Sequence, residues 1–250
     1  MSLSKNEIKL VKSLQIKKYR DLHRLFVVEG VKLVDELIEQ SHFKIDGIFY
    51  TSGYDRKLPG TIHSFEITEN ELSRISGLKS PNKVLAVVKY PSETPIDYSS
   101  ENLILLLDNI NDPGNLGTII RTADWFGIKE VIATKTTVDL FNPKVIQSSM
   151  GAVYRIKFHR TNLNETIPDL KTNNFQLIGA ALGGENLYTT PFKKKTALVM
   201  GSESHGISKE LSDQLDKEVL IPQFGKTESL NVAMATGIIL SHYKANTGGN

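Results

Sequence analysis

The sequence predicts an α/β architecture, a parallel sheet with helices on both faces and a smaller α/β domain ahead of it. Three observations carry this. From residue 103 onward, strand-like runs alternate with helical stretches, the rhythm of a parallel sheet with crossover helices. Leu103-Ile104-Leu105-Leu106-Leu107 is unbroken apolar sequence, as expected of a strand buried on both faces. A polar stretch bearing Pro91, Ser92, Pro95, Ser99 and Ser100 reads as a linker, giving expected domains at 1–95 and 99–246.

The first half opens on a basic segment. Leu10, Val11, Leu14 and Ile16 give it an apolar side, so it reads as a helix. Phe26-Val27-Val28-Glu29-Gly30 is a short apolar run, followed by an amphipathic stretch with Val31, Val34, Leu37 and Ile38 at helical spacing. Residues 45–50 and 84–89 read as strands, and 69–75 as a helical turn. In the second half a helix is expected from about Leu116 to Phe126, with Asn115 as its cap, then a strand at 130–134. Helices at 143–150 and 163–170 alternate with strands at 154–158, 176–181, 197–200 and 219–221. A long apolar helix, 230–243, closes the pattern, with Ser229 or Thr227 as candidate cap. Parallel sheets bind ligands beyond the carboxyl ends of their strands, which directs attention to the residues after Leu107, Met200 and Ile221.

Composition narrows the function. The 250 residues include 30 Lys+Arg, 28 Asp+Glu and no cysteine. Zero Cys excludes a disulfide scaffold, a thiolate zinc site and a cysteine nucleophile. No apolar run reaches the roughly 20 residues that span a bilayer, and residues 1–7 lack a signal-peptide core, so a soluble, cytoplasmic protein is expected. The near-balanced charge argues against non-specific coating of nucleic acid. Its distribution is uneven. Through Arg24, seven basic residues (Lys5, Lys9, Lys12, Lys17, Lys18, Arg20 and Arg24) face only Glu7 and Asp21, whereas from Ser99 onward 15 basic and 15 acidic residues cancel. The basic segment is either a solvated helical face or a surface for RNA phosphates.

Three segments carry candidate chemistry. In 108–123, polar turn residues lead from a buried strand into a helix with Arg121 beside Ile119 and Ile120. That guanidinium either snorkels and pairs with Asp124, or faces an anion. In 198–208, the glycine spacing imitates a phosphate-binding loop, but Ile207 stands where the essential lysine belongs, and no G-x-G-x-x-G dinucleotide signature is present. A nucleotide-hydrolysing enzyme is therefore disfavoured, and what remains is a permissive turn with one carboxylate, Glu203. In 220–231, a strand ends at Pro222 and a loop leads into the last helix. Each segment alone fits an ordinary connection.

Together, in this order and spacing from about Leu103 to Tyr243, they resemble the three motifs of the SpoU (TrmH-type) RNA 2′-O-ribose methyltransferases of the SPOUT superfamily. Asn115 and Arg121 match the first motif, and Gly201, Glu203 and Gly206 the second. Ile221, Pro222, Ser229, Leu230 and Asn231 match the third, and Ser149-Met150-Gly151-Ala152 resembles the family's intervening stretch. Phe26 to Gly30 with Lys32-Leu33-Val34 resembles, more loosely, the ribosomal-protein-like substrate-binding domain of rRNA-modifying members.

The resemblance implies a C-terminal trefoil knot, a homodimer, and S-adenosyl-L-methionine held near Leu182, Gly201, Ile221, Ser229, Leu230 and Asn231. It also implies methyl transfer to a ribose 2′-hydroxyl, for which the donor's leaving group makes a metal unnecessary. Arg121, Asn115 and Glu203 become the candidate catalytic residues. Arg121 is a poor proton acceptor at neutral pH; it is expected to position RNA, with Asn115 orienting it and Glu203 holding the second-motif loop or the guanidinium. His205 is titratable but lacks an evident partner. Lys9, Lys12, Lys17, Lys18 and Arg20, with Arg121, are the expected RNA contacts. The appended domain favours large-subunit (23S) rRNA over tRNA. The alternatives are a tRNA 2′-O-methyltransferase and a non-catalytic RNA-binding ribosome-assembly protein, the latter predicting erosion of motif residues that are all present.

Overall fold

The computed structural model describes residues 3–40 and 42–248. The elements of the first half are α1 (Lys5–Ser13), α2 (Lys17–His23), β1 (Leu25–Glu29), α3 (Val31–Ile38), β2 (Ile45–Tyr50), β3 (Ser64–Glu66), α4 (Glu69–Ile75) and β4 (Val84–Lys89). Those that follow are β5 (Leu103–Asp108), α5 (Pro113–Trp125), β6 (Glu130–Thr134), α6 (Pro143–Ser149), β7 (Lys157–Thr161), α7 (Leu163–Thr172), β8 (Gln176–Asn186), β9 (Thr196–Gly201), α8 (Lys209–Ser212), β10 (Lys217–Leu220) and α9 (Val232–Thr247). Among the described residues no helix is long and apolar enough to cross a membrane.

The chain divides into two compact units. The first comprises residues up to Glu93 together with Asp139–Tyr154; the second comprises Thr94–Val138 and Arg155 onward. The segment carrying α6 thus belongs by its contacts with the N-terminal unit, although by sequence it falls inside 99–246.

In the first unit a four-stranded sheet runs β1-β4-β2-β3, antiparallel except for β2–β3. Val11, Leu14, Val27, Leu72, Ile75 and Leu85 are among the side chains packed on one side of it. The basic segment, expected as one helix, is two. Ser4 and Glu7 form a capping box that starts α1; at Leu14 the helix stops, and Ile16 is extended at the entry to α2. The break frees the Leu14 and Gln15 carbonyls, and Arg20 Nη1 donates to both, at 2.8 and 2.9 Å. The other edge of the guanidinium binds Asp139, at 3.1 Å from Nε and 2.7 Å from Nη2. Arg20 is only 1% exposed. Its expected role as an RNA-facing cation is therefore corrected: burial and four hydrogen bonds commit it to holding the elbow.

In the second unit six strands form an all-parallel sheet, β10-β8-β9-β5-β6-β7. β5 and β9 at its centre are buried along their whole length, as the apolar run at 103–107 foretold for β5. β7 starts at Lys157, later than expected, because Ala152–Tyr154 forms a 3-10 turn. β8 runs on to Asn186, and its register against β10 jumps from Gly179 to Glu185 between consecutive β10 residues. Residues 180–184 therefore have no partner in β10.

Candidate active site

Beyond the carboxyl ends of β9 and β10 lies a cavity of about 660 Å³. Three segments line it: Ala180–Leu182 from the unpaired stretch of β8, Met200–Ile207 after β9, and Leu220–Gly225 with Thr227–Leu230 after β10. The register jump turns Leu182 out of the ladder, leaving it 72% exposed at the cavity beside Phe224 at 94% and Leu230 at 49%.

Gly201 ends β9 where the chain folds back on itself. Ser202 and Gly206 exchange backbone hydrogen bonds of 3.1 and 2.9 Å, and Gly206 takes φ +65°. A Cβ on Gly201 would lie 2.1 Å from the Gly206 carbonyl carbon. The missing side chain is thus required by the loop's own backbone. Asp108, at the end of β5 and 1% exposed, braces the same loop by accepting the Ser208 N–H at 2.8 Å.

Of the expected donor-site residues, Leu182, Gly201, Ile221, Ser229 and Leu230 line the cavity, as do Glu203 and His205. Asn231 does not; it caps α9, accepting from Ala233 and Met234 N–H at 2.9 and 3.3 Å. Ser229 and Thr227, the expected caps, are on the cavity wall. Among the described residues no lysine or arginine lines the cavity, whereas Glu203, Glu218 and Glu228 do. A polyphosphate would meet no cation there. A sulfonium-bearing donor with a flat adenine fits the carboxylates, the exposed apolar side chains and the volume, which is within the range for small-molecule sites.

The α5 end of the site is organised by amides. Asp112, not Asn115, caps α5, accepting the Asn115 N–H at 2.8 Å, with Pro113 at the first helical position. The Asn115 side chain is thereby free for longer reach. Its Nδ2 donates to Glu203, and its Oδ1 accepts from Asn231 Nδ2 at 2.9 Å. One residue from each segment thus joins a single chain of hydrogen bonds, which sequence spacing alone did not disclose. Asn115 was expected to orient Arg121, but six residues on a helix place the two about 120° apart in azimuth and about 9 Å apart along the axis. Arg121 is exposed on α5 and, among the described residues, makes no hydrogen bond or ion pair. Asp124, its expected partner, instead binds Arg155, at 2.8 Å from Nη2.

In the N-terminal unit Lys9, Lys12, Lys17 and Lys18 are all exposed on α1 and α2, with Lys17 paired to Asp21. The residues that spacing missed are Asp108 and Asp112. Both sit in polar turn sequence after an apolar strand, which was the available signal.

Residues 102–241 match the SpoU rRNA Methylase family and residues 5–86 the MRM3-like substrate binding domain. The chain is 30% identical over 248 residues to the 23S rRNA (guanosine(2553)-2′-O)-methyltransferase RlmP of Bacillus subtilis, covering 97% of this chain and 98% of that one. Among solved structures, a TrmH-family protein from Porphyromonas gingivalis superposes with a TM-score of 0.87 at 37% identity, covering 96% of this chain and 98% of that one. An AdoMet-bound rRNA methyltransferase from Sinorhizobium meliloti gives 0.86 at 30%, covering 98% and 97%. This chain belongs to the SpoU rRNA methylase family.

Proposed function

We infer that the protein transfers a methyl group from S-adenosyl-L-methionine to a ribose 2′-hydroxyl of RNA, in large-subunit (23S) rRNA, in the cytoplasm. The observation that carries this is the hydrogen-bonded chain Glu203–Asn115–Asn231, which ties the walls of a cation-compatible cavity to the helix bearing the exposed Arg121. The 2′-hydroxyl restricts the substrate to RNA.

The bound donor supplies an activated methyl and its own leaving group. The protein's work is alignment and handling of the hydroxyl proton. The 201–206 loop, fixed by its glycines and Asp108, and the 221–230 segment would hold the donor. Arg121, which stays protonated, would bind the RNA phosphate and 2′-oxygen as a donor of hydrogen bonds, so the proton goes to another acceptor. Asn115 and Asn231 hold the motif loops in register, and Lys9, Lys12, Lys17 and Lys18 supply a cationic surface for RNA.

A trefoil knot and a homodimer belong to the same reading. The segment after β10 shares the cavity wall with the 202–206 loop and reaches α5 through Asn231, which supports a threaded chain. An exposed groove lined by Thr118 and Thr122 of α5 and Met234, Gly237 and Ile238 of α9, with Met234 62% exposed, supports pairing of two copies.

The test is ribose-methylation mapping across 23S rRNA and tRNA from cells with and without the gene, complemented by wild type or Arg121→Ala. One 23S mark is expected to vanish and to return only with wild type, while calorimetry shows donor affinity unchanged in the variant. Full methylation by Arg121→Ala, or a lost mark confined to tRNA, would overturn the assignment.

A further inference from the structure

Trp125 is the chain's single tryptophan, and it is 85% exposed at the end of α5. Most other exposed large apolar side chains of this unit have a place in the reading above: Leu182, Phe224 and Leu230 at the donor cavity, Tyr188 and Met234 at the groove. Trp125 lines neither, and among the described residues it stacks on no ring. A large amphipathic ring left in water is the kind of group that binding surfaces use.

Its position gives it a use. Trp125 is four residues after Arg121, so the two side chains are neighbours on one strip of α5, with about 6 Å between them along the axis. Thr118 and Thr122, also four apart, form the adjacent strip and face the groove. An exposed cation beside an exposed indole is the pairing that single-stranded nucleic acid uses, one group for phosphate and one for a base. In RNA the base hangs from the ribose carbon next to the one bearing the 2′-hydroxyl. A base stacked beside Arg121 is therefore the target's own or that of its neighbour.

We propose that Trp125 is a substrate-binding residue, stacking an unpaired RNA base next to Arg121 and so restricting methylation to nucleotides that are extruded from a helix. The proposal rests on the RNA-methyltransferase reading above. Base-paired RNA presents no free face to the indole, whereas loops and bulges do.

The single tryptophan makes the test direct. Emission excited at 295 nm would be followed while full-length protein is titrated with a single-stranded 12-mer of rA, the same 12-mer annealed to rU, and heparin, a polyanion without bases. Quenching is expected with the single strand and not with the duplex or heparin. Trp125→Ala should weaken the 12-mer by about five-fold or more, from the 1–3 kcal/mol that a stacked base contributes, and raise KM for 23S rRNA with kcat largely kept. Trp125→Phe should restore most of the affinity, and donor affinity by calorimetry should not change. Equal quenching by heparin, or unchanged RNA affinity in Trp125→Ala, would overturn the proposal. So would a halved mass of Trp125→Ala by light scattering, which would place the indole between two copies of the chain. Each of these failures would leave methyl transfer by the wild-type protein intact, whereas loss of the underlying reading would abolish it.

Discussion

Asn231 does two things with one amide. Its Oδ1 caps α9, and its Nδ2 reaches Asn115, which in turn holds Glu203. The two halves of the amide are chemically distinct, so substitution can separate them. Asn231→Asp keeps an excellent cap, because a carboxylate accepts from the first-turn N–H groups and suits the positive end of the helix. It removes the donor and sets a carboxylate oxygen against Asn115 Oδ1. The melting temperature should stay close to wild type while methyl transfer falls at least ten-fold. Asn231→Ala should lose both, costing about 1 kcal/mol of stability through the cap. Thermal denaturation beside a methyl-transfer assay reads the difference; equal activity of Asn231→Asp and wild type would show that the link to Asn115 is dispensable. The identity of these residues was legible through motif resemblance, but their bonds were not. Whether Asp112 or Asn115 caps α5 turns on three residues of backbone, a margin inside which spacing arguments have no resolution.

At the scale of elements, the sequence pattern located nearly every strand of the parallel sheet, because apolar runs bounded by turn residues report burial directly. It merged α1 and α2, because what divides them is Arg20 recruiting Leu14 and Gln15 carbonyls and Asp139, a partner 119 residues away. The caps were more local and are also titratable. Glu71 closes a capping box with Thr68 at the start of α4, and it accepts the Leu3 N–H at 2.9 Å, joining the residue before the α1 cap to α4. Backbone hydrogen bonds from Thr68, then Leu3, hold its carboxyl below the ordinary value of 4.5; the Ser4 hydrogen bonds do the same for Glu7. A depressed folded value means that protonation favours the unfolded chain. The contribution is fully present above about pH 4.5 and is lost as pH falls through the folded values. Hydrogen-exchange protection in α1 and α4, corrected for the intrinsic exchange rate, should therefore fall between about pH 5 and about pH 3 more than in the sheet. Glu71→Gln preserves the box but removes the charge, so α4 should lose most of that pH dependence; an unchanged profile would assign the effect elsewhere.

For the whole molecule, the consequence lies in how the chain is divided. The linker at 91–100 marks a natural place to cut, and the expected first domain ends at residue 95. Yet the first unit includes Asp139–Tyr154, and its interior depends on that segment. Asp139 neutralises buried Arg20, Phe141 stacks on Phe26 with ring centroids 4.4 Å apart, and Gln147 Nε2 donates to the Glu29 carbonyl at 2.8 Å. Tyr154 donates to the Leu33 carbonyl at 3.2 Å. A fragment of residues 1–95 loses all four. Either Arg20 stays buried without its carboxylate, for which removing one partner of a buried pair costs about 3–5 kcal/mol, or the elbow opens and exposes Leu14 and Val11. That is a large share of the stability of a domain this small. The 1–95 fragment is therefore expected to unfold without a cooperative transition by circular dichroism. Residues 139–154 joined to it through a flexible Gly/Ser linker should restore one, and Asp139→Ala in the joined form should weaken it again. Cooperative melting of 1–95 alone, at the temperature of the joined form, would show that the segment rests on this unit without completing it.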